Sequence, residues 1–229
     1  MDLKNKIIVV TGGSQGFGRA LAKVFQAESA NVVIASHNES ELKKTAKELS
    51  VDFFLADVTS AKVLEQFGAF AVNKYGAIDI WINNAGIQIA PSRTEKVDME
   101  KLRRLFEVNF FGYFHGCQTA LRIMKKQNAG TIINVNSTAG LDGKPELSAY
   151  CSSKFAIKGL TETIRKEVTG SKIKILAIYP GGMQTDIYRE KYPADIKEYM
   201  TVESVAEKVL ANLKTKNPEQ DLIIKRPKV

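Results

Sequence analysis

Tyr150 and Lys154 stand four residues apart in "SAYCSSKFAIKGL", residues 148–160. On a helix this spacing puts both on one face, about 6 Å apart along the axis. A phenol ordinarily titrates near pH 10, too high to act as a base at neutrality. A close ammonium favours the phenolate. Lowering the phenol by about two units takes roughly 2.7 kcal/mol of differential stabilisation, within reach of one close cation and a buried hydrogen bond. The chemistry this suits is hydride transfer: a ketone receiving hydride needs a proton on oxygen, and an alcohol losing hydride must give one up. A bare Y-x-x-x-K also arises by chance in many helices, so its company decides.

Ser137, thirteen residues before the tyrosine, closes the strand-like run "GTIINVNS". Parallel α/β sheets bind ligands at the carboxyl ends of their strands, where a serine hydroxyl can hold a carbonyl oxygen. Asn109 lies in the aromatic helical run "VNFFGYFHG". A buried amide there needs a partner or a role, and one such role is to anchor a water chain returning protons to solvent.

Upstream, the first strand runs straight into "TGGSQGFGRALA", with glycines at 12, 13, 16 and 18. A loop this poor in side chains lets backbone N–H groups approach a diphosphate at the start of a helix. Tight strand-to-helix turns use glycines too, but the position at the first junction of an alternating chain favours a dinucleotide. The second strand ends in "IASHNES". Ser36 stands where enzymes preferring the unphosphorylated cofactor place an acid. Ser36, His37 and Asn38 can donate hydrogen bonds to a 2′-phosphate, so NADP(H) is favoured over NAD(H). No arginine supports that choice at this turn, and histidine is mostly neutral at pH 7.

The elements that must position these groups alternate along the chain. Strand candidates are 6–11, 31–36, 51–56, 78–83, 130–137, 172–180 and 221–226, several of them almost continuously apolar, as strands covered on both faces should be. Amphipathic runs lie between them, including "GRALAKVFQAES", "ESELKKTAKELS", "LRRLFEVNFFGYFHGCQTALRIMKKQ", "YCSSKFAIKGLTETIRKEV" and "TVESVAEKVLANLKTK". Such alternation implies parallel strands joined by right-handed crossovers. The expectation is an α/β fold: a doubly wound Rossmann-type parallel sheet of about seven strands with helices on both faces. Residues 1–229 read as one NAD(P)-binding domain, with 183–200 as a substrate-covering segment.

Composition narrows the class. The 229 residues are 44% apolar and 25% charged, an ordinary globular balance. The net charge is +8, but the basic residues are spread out, with small clusters at Lys125–Lys126 and "KRPK" (225–228). A nucleic-acid protein would concentrate them beside aromatics, so solvated surface is the reading. No apolar run approaches a membrane span, and "MDLKNKIIVVTGG" reads as an opening strand, not a signal peptide. Two cysteines, Cys117 and Cys151, and two histidines make neither a disulfide scaffold nor a metal site. A cytoplasmic protein with free core thiols and no metal is expected, with a reservation for Cys151 beside Tyr150.

In these motifs the chain resembles the short-chain dehydrogenase/reductase family in its compact form. The resemblance is carried in order by "TGGSQGFG" (11–18), Asp57 in "LADVT", "NNAG" (83–86), Asn109, Ser137, "YCSSK" and "PGGMQT" (180–185). It implies that Tyr150 is the general acid/base, and that Lys154 bonds the nicotinamide ribose and lowers the phenol's pKa. Ser137 would orient substrate and Asn109 complete a proton relay. For the cofactor it implies the glycine loop through Gly12, Ser14, Gly16, Phe17 and Gly18. Asp57 and Val58 would sit by the adenine, Asn83 and the following Asn84, Ala85 and Gly86 by the adenosine ribose. Thr185 with the Pro180–Gly181 turn would hold the carboxamide side. "NNAG" also reads as a strand-end turn supporting the sheet.

The activity implied is an oxidoreductase interconverting a small-molecule carbonyl and a secondary alcohol, assembled as a homodimer or homotetramer. The rival readings are a catalytically silent NAD(P)-sensing protein and a nucleotide-sugar epimerase or dehydratase, whose known examples are longer. Within the leading reading, a 3-oxoacyl thioester on a carrier protein would give Arg122, Lys125 and Lys126 a docking task. Tyr188, Tyr192 and Tyr199 either line the substrate region or pack it down.

Overall fold

A computed structural model describes residues 1–226; of the basic "KRPK" run, Pro227 and Lys228 lie outside the described residues. Seven strands form one sheet: β1 Ile7–Thr11, β2 Asn31–Ser36, β3 Asp52–Leu55, β4 Ile80–Asn83, β5 Gly130–Val135, β6 Ile173–Pro180 and β7 Asp221–Ile224. Their order is β3-β2-β1-β4-β5-β6-β7, parallel throughout. The chain leaves β1 toward one edge and returns to start β4 on β1's other side. That reversal opens a crevice at the carboxyl ends of β1 and β4.

The helices are α1 Gly16–Ala27, α2 Glu39–Leu49, α3 Ala61–Tyr75, α4 Met99–Phe106, α5 Gly112–Gln127, α6 Ser148–Glu167 and α7 Val202–Lys214. Alternating strand residues feed two core layers. Ile8, Val10, Ile34, Ile82 and Ile178 pack with α1, α2 and α7. Val9, Val33, Trp81, Ile132 and Ile175 pack with α3, α5 and α6. Burial of each such side chain stabilises by roughly 1.5–3 kcal/mol, and burial on both faces explains why these strands read as continuous apolar runs. α3 was not singled out from the sequence, yet it carries ordinary signals: Ser60 accepts from Val63 N at its start, and Gly76 closes it in the left-handed region.

Two observations correct the element boundaries. The long helical run through Asn109 is not one helix, because a π-helical segment, Glu107–Phe111, separates α4 from α5. And β5 stops at Val135, so Ser137 lies beyond the strand, capping a 3₁₀ turn at Thr138–Gly140 by accepting from Ala139 N.

A polar thread crosses the apolar layer beneath α5 and α6. Trp81 Nε1 donates to Asn83 Oδ1 at 2.8 Å, Asn83 Nδ2 to Asn134 Oδ1 at 2.9 Å, and Asn134 Nδ2 to Thr161 Oγ1 at 2.9 Å. At the far end of α6, Arg165 donates to Ile175 O and forks onto both carboxylate oxygens of Asp221, tying the helix to β6 and β7. Among the described residues no helix is long and apolar enough to cross a membrane, and no group of three or more His, Cys, Asp or Glu side chains could hold a metal.

Candidate active site

A cleft of about 940 Å³ runs along the carboxyl ends of β1 to β6. Its floor begins with the glycine loop. Gly12 has φ +65°, and a Cβ there would stand 2.8 Å from Ala85 Cα. A Cβ on Gly18 would stand 2.2 Å from Gly12 O and 2.5 Å from Asn84 Nδ2, so α1 meets the loop with no room for a side chain. Gln15, preceding α1, makes no side-chain cap bond. The first N–H groups of α1 are thus left for an outside acceptor, and a diphosphate fits that bare, electropositive end.

Of the expected cofactor contacts, Gly12, Ser14, Gly16, Phe17, Gly18, Ser36 and His37 line the cleft, as do Asp57, Val58, Asn84, Ala85 and Gly86. Pro180, Gly181 and Thr185 line it from the far wall, with the Thr185 methyl 3.7 Å from where a Gly16 Cβ would be. Ser36 Oγ accepts from Ser14 Oγ at 2.9 Å and from Asn38 N at 3.3 Å, while His37 is exposed. Burial opposes ionisation of Asp57, but the Thr59 amide and hydroxyl and then Arg104 outweigh it and hold the carboxyl below its usual range.

Two asparagines depart from expectation. Asn38 is absent from the cleft lining; its Oδ1 is spent on capping α2 through Glu41 N and accepting from Ser40. Asn83 is buried in the polar thread and does not reach the cleft.

Ser137, Tyr150 and Lys154 come together on one wall. Ser137 Oγ contacts Pro180 O at 3.5 Å and favours the phenolate of Tyr150. Lys154 Nζ does not sit at the phenol oxygen. It donates to Val135 O at 3.1 Å and lies 5.6 Å from the centroid of the Tyr150 ring. The electrostatics reverse the sequence expectation. Burial, with Tyr188 adding to it, pushes the Tyr150 phenol up despite Ser137. Burial also pushes Lys154 down to about 7. Each group is penalised in its charged form by burial in the same low-dielectric wall, and burial is the largest cause for both. Tyr150 is only half-buried, so contact with the cleft moderates its shift.

Asn109 also differs from expectation. It is fully buried and outside the cleft lining, with its amide bonded to the protein from both ends. Oδ1 accepts from Ile87 N at 2.8 Å, and Nδ2 donates to Ile87 O at 2.9 Å and Ser153 Oγ at 3.3 Å. The side chain pins the loop after β4 to α6, with both Nδ2 hydrogens committed and one Oδ1 lone pair still open.

The tyrosines of the 183–200 segment divide their tasks. Tyr199 packs on Gly182 and under Arg226. Tyr188 stacks edge-on against Tyr199 at 5.7 Å and lines the cleft near Tyr150. Tyr192 is exposed and donates to Asp186 Oδ1. Across the opening, Glu190 Oε2 accepts from Ala90 N at 3.1 Å and Lys101 Nζ at 2.9 Å, closing one wall on the other. Sequence reasoning left Tyr188 open between lining and packing, without its proximity to Tyr150, and missed the Glu190 clasp. The first lies 38 positions from Tyr150 and the second joins residues 100 apart.

The short chain dehydrogenase family model matches residues 6–197. The chain belongs to the short-chain dehydrogenase/reductase family. A 3beta-hydroxysteroid dehydrogenase 1 of Eggerthella lenta is 34% identical over 198 residues, 83% of this chain and 76% of the relative. A 3-oxoacyl-(acyl-carrier-protein) reductase of Thermotoga maritima is 34% identical over 203 residues, 86% of this chain and 82% of the relative. Among solved structures, a short-chain dehydrogenase from Streptomyces avermitilis superposes with a TM-score of 0.86 at 26% identity, covering 98% of this chain and 89% of that one. This short-chain dehydrogenase/reductase is an NAD(P)-binding oxidoreductase with the family's seven-stranded sheet.

Proposed function

We propose that this enzyme is an NADP(H)-dependent reductase that interconverts a carbonyl and a secondary alcohol, with Tyr150 as the proton donor and acceptor. The observation carrying this reading is the convergence of Ser137, Tyr150 and Lys154 on a cleft whose opposite end is the glycine loop. A bound dinucleotide would supply hydride to the substrate carbon. Ser137 and Tyr150 take the carbonyl oxygen between their hydroxyls. Because its pKa is raised, Tyr150 is protonated at neutral pH and is ready to give its proton as charge builds on that oxygen. Lys154, charged below about pH 7, lies beside the ring and offsets the phenolate left behind. Asn109 positions the Ile87 loop and α6 without touching the reacting atoms. Residues 183–200 cover the substrate.

Tyr150→Phe tests the assignment. Turnover should fall by at least about 10²-fold, the usual contribution of a positioned acid, with dinucleotide affinity nearly unchanged. Full activity in this variant, or no turnover by the parent enzyme across a broad carbonyl panel, would overturn it, the second outcome in favour of a nucleotide sensor. For the cofactor, support comes from Ser36, whose buried hydroxyl occupies the place of an acid, and from exposed His37 beside it. Higher kcat/KM with NADH than NADPH would reject the phosphate preference.

A 3-oxoacyl thioester is the substrate class supported by the Thermotoga maritima relative. Arg122 is already paired with Glu65, which leaves exposed Lys125 and Lys126 to meet an acidic carrier; added salt should then raise KM for the carrier-bound substrate. Free Cys117 and Cys151 support a cytosolic location. Exposed Phe111 and Phe114 support a homo-oligomer, which sedimentation velocity would test.

A further inference from the structure

We propose that Tyr113 is a positioning residue that holds the Lys154 ammonium in its charged form by presenting its ring to it, a role that rests on the hydride-transfer reading above. Tyr113 is 1% exposed and is the second residue of α5, just after the π segment. Lys154 Nζ lies 5.3 Å from its ring centroid and 5.6 Å from that of Tyr150, both within the roughly 6 Å over which a ring face attracts a cation. The Tyr113 hydroxyl donates to Val135 O at 2.7 Å, the same carbonyl that accepts from Lys154 Nζ at 3.1 Å. One backbone oxygen therefore fixes the ring and the ammonium relative to each other.

The ammonium needs this support. Of its three donors, one has a protein acceptor, Val135 O, and burial drives the group toward its neutral form. The titratable groups facing it are two phenols, Tyr150 from its own helix and Tyr113 from α5; Cys151 lies beside the first and Cys117 beside the second. Tyr188 of the covering segment reaches Tyr150 behind them. Among the described residues no carboxylate offsets the burial of Lys154. Burial keeps the Tyr113 phenol protonated as well, so the electron-rich ring face, not a phenolate, is what Lys154 meets. Tyr113 contributes nothing to the reacting atoms directly. It acts through Lys154.

The test is an NMR titration of the full-length protein carrying [¹³C]lysine, with the Lys154 signal identified by its loss in Lys154→Met. The wild-type midpoint is expected near 7. Tyr113→Phe keeps the ring and should leave it within about 0.3 unit, whereas Tyr113→Leu should lower it by about 0.5–1 unit. The alkaline limb of the kcat profile should move acid-ward by the same amount in the leucine variant and return in the phenylalanine one. If Tyr113→Leu fails to fold, pentafluorophenylalanine at position 113 keeps the volume while inverting the ring's potential, and should reproduce the shift. An unmoved midpoint in these ring-deficient variants, or a shift in Tyr113→Phe as large as in Tyr113→Leu, overturns the assignment. The titration needs no turnover, so it is decided separately from the hydride-transfer reading, whose failure would appear as full activity in Tyr150→Phe.

Discussion

Two glycine-to-alanine substitutions, both in helices, should move stability in opposite directions. In α5, a Cβ at Gly116 would lie 2.0 Å from Asn83 Oδ1 and 3.1 Å from Trp81 Nε1. Ordinary contact starts at 3.4 Å, so the Asn83 amide must retreat by more than 1 Å and its bond from the Trp81 indole cannot survive. An unpartnered buried N–H costs about 1–3 kcal/mol, and overpacking costs about 1–3 kcal/mol more. The helix gains back about 1 kcal/mol from alanine. A net loss of ~3 kcal/mol follows, or a Tm lower by roughly 6–12 °C for a chain of this size. In α6, Gly159 is exposed with nothing within 4 Å of its Cβ position, and Gly159→Ala should stabilise by ~1 kcal/mol. Trp81 is the single tryptophan, so urea unfolding followed by its fluorescence reads both stability and the local bond. A Gly116→Ala protein within about 0.5 kcal/mol of the parent, beyond the error of such fits, would refute this account of the buried thread.

Gly18→Ala should weaken dinucleotide binding by at least about tenfold, because the methyl must displace the Gly12 carbonyl; equilibrium fluorescence titration would measure it. Lys154→Met should abolish the proton chemistry yet stabilise the fold at pH 6. The folded protein holds Lys154 at about 7 against an ordinary 10.5, so between those values the unfolded chain binds more protons and stability falls as pH falls. The variant's advantage should therefore be full below pH 7, at least ~1 kcal/mol, and vanish near 10.5; Val135 O keeps its Tyr113 donor throughout. A constant difference across that range would contradict the buried-ammonium account. Glu190→Gln should quicken tryptic cleavage after Arg189 or Lys191 while changing global stability by less than about 1 kcal/mol, since the clasp is exposed.

The strands were legible almost residue by residue, the central ones because a strand buried on both faces must be apolar throughout: 31–36 is β2 as expected, and the others lost only one or two terminal residues, the half-exposed edge strands β3 and β7 included. The glycine loop was legible for a related reason, since close backbone approach at Gly12 and Gly18 excludes every other residue type. The π segment was not, because apolar periodicity through "LFEVNFFGYF" does not separate an i→i+4 from an i→i+5 ladder. Spacing brought Tyr150 and Lys154 to one face but said nothing of Val135 O, the acceptor that draws Nζ to the ring instead of the phenol oxygen. Nor does charge counting reveal that burial, not proximity, governs both pKa values. Asn109 and Asn38 show the same gap: each amide was visible, but its partners (Ile87 for one, the start of α2 for the other) were fixed only by folding.

Arg165 lies eleven residues beyond Lys154 on α6, about 16 Å along the axis, and its fork onto Asp221 fastens that end of the rod to the outermost strand. A stiff rod clamped at one end has little freedom to tilt at the other. On the proposed mechanism, the precision with which a proton meets a substrate oxygen would be lent, in part, by a four-residue strand at the margin of the sheet, and fraying that margin would blur the reaction from a distance.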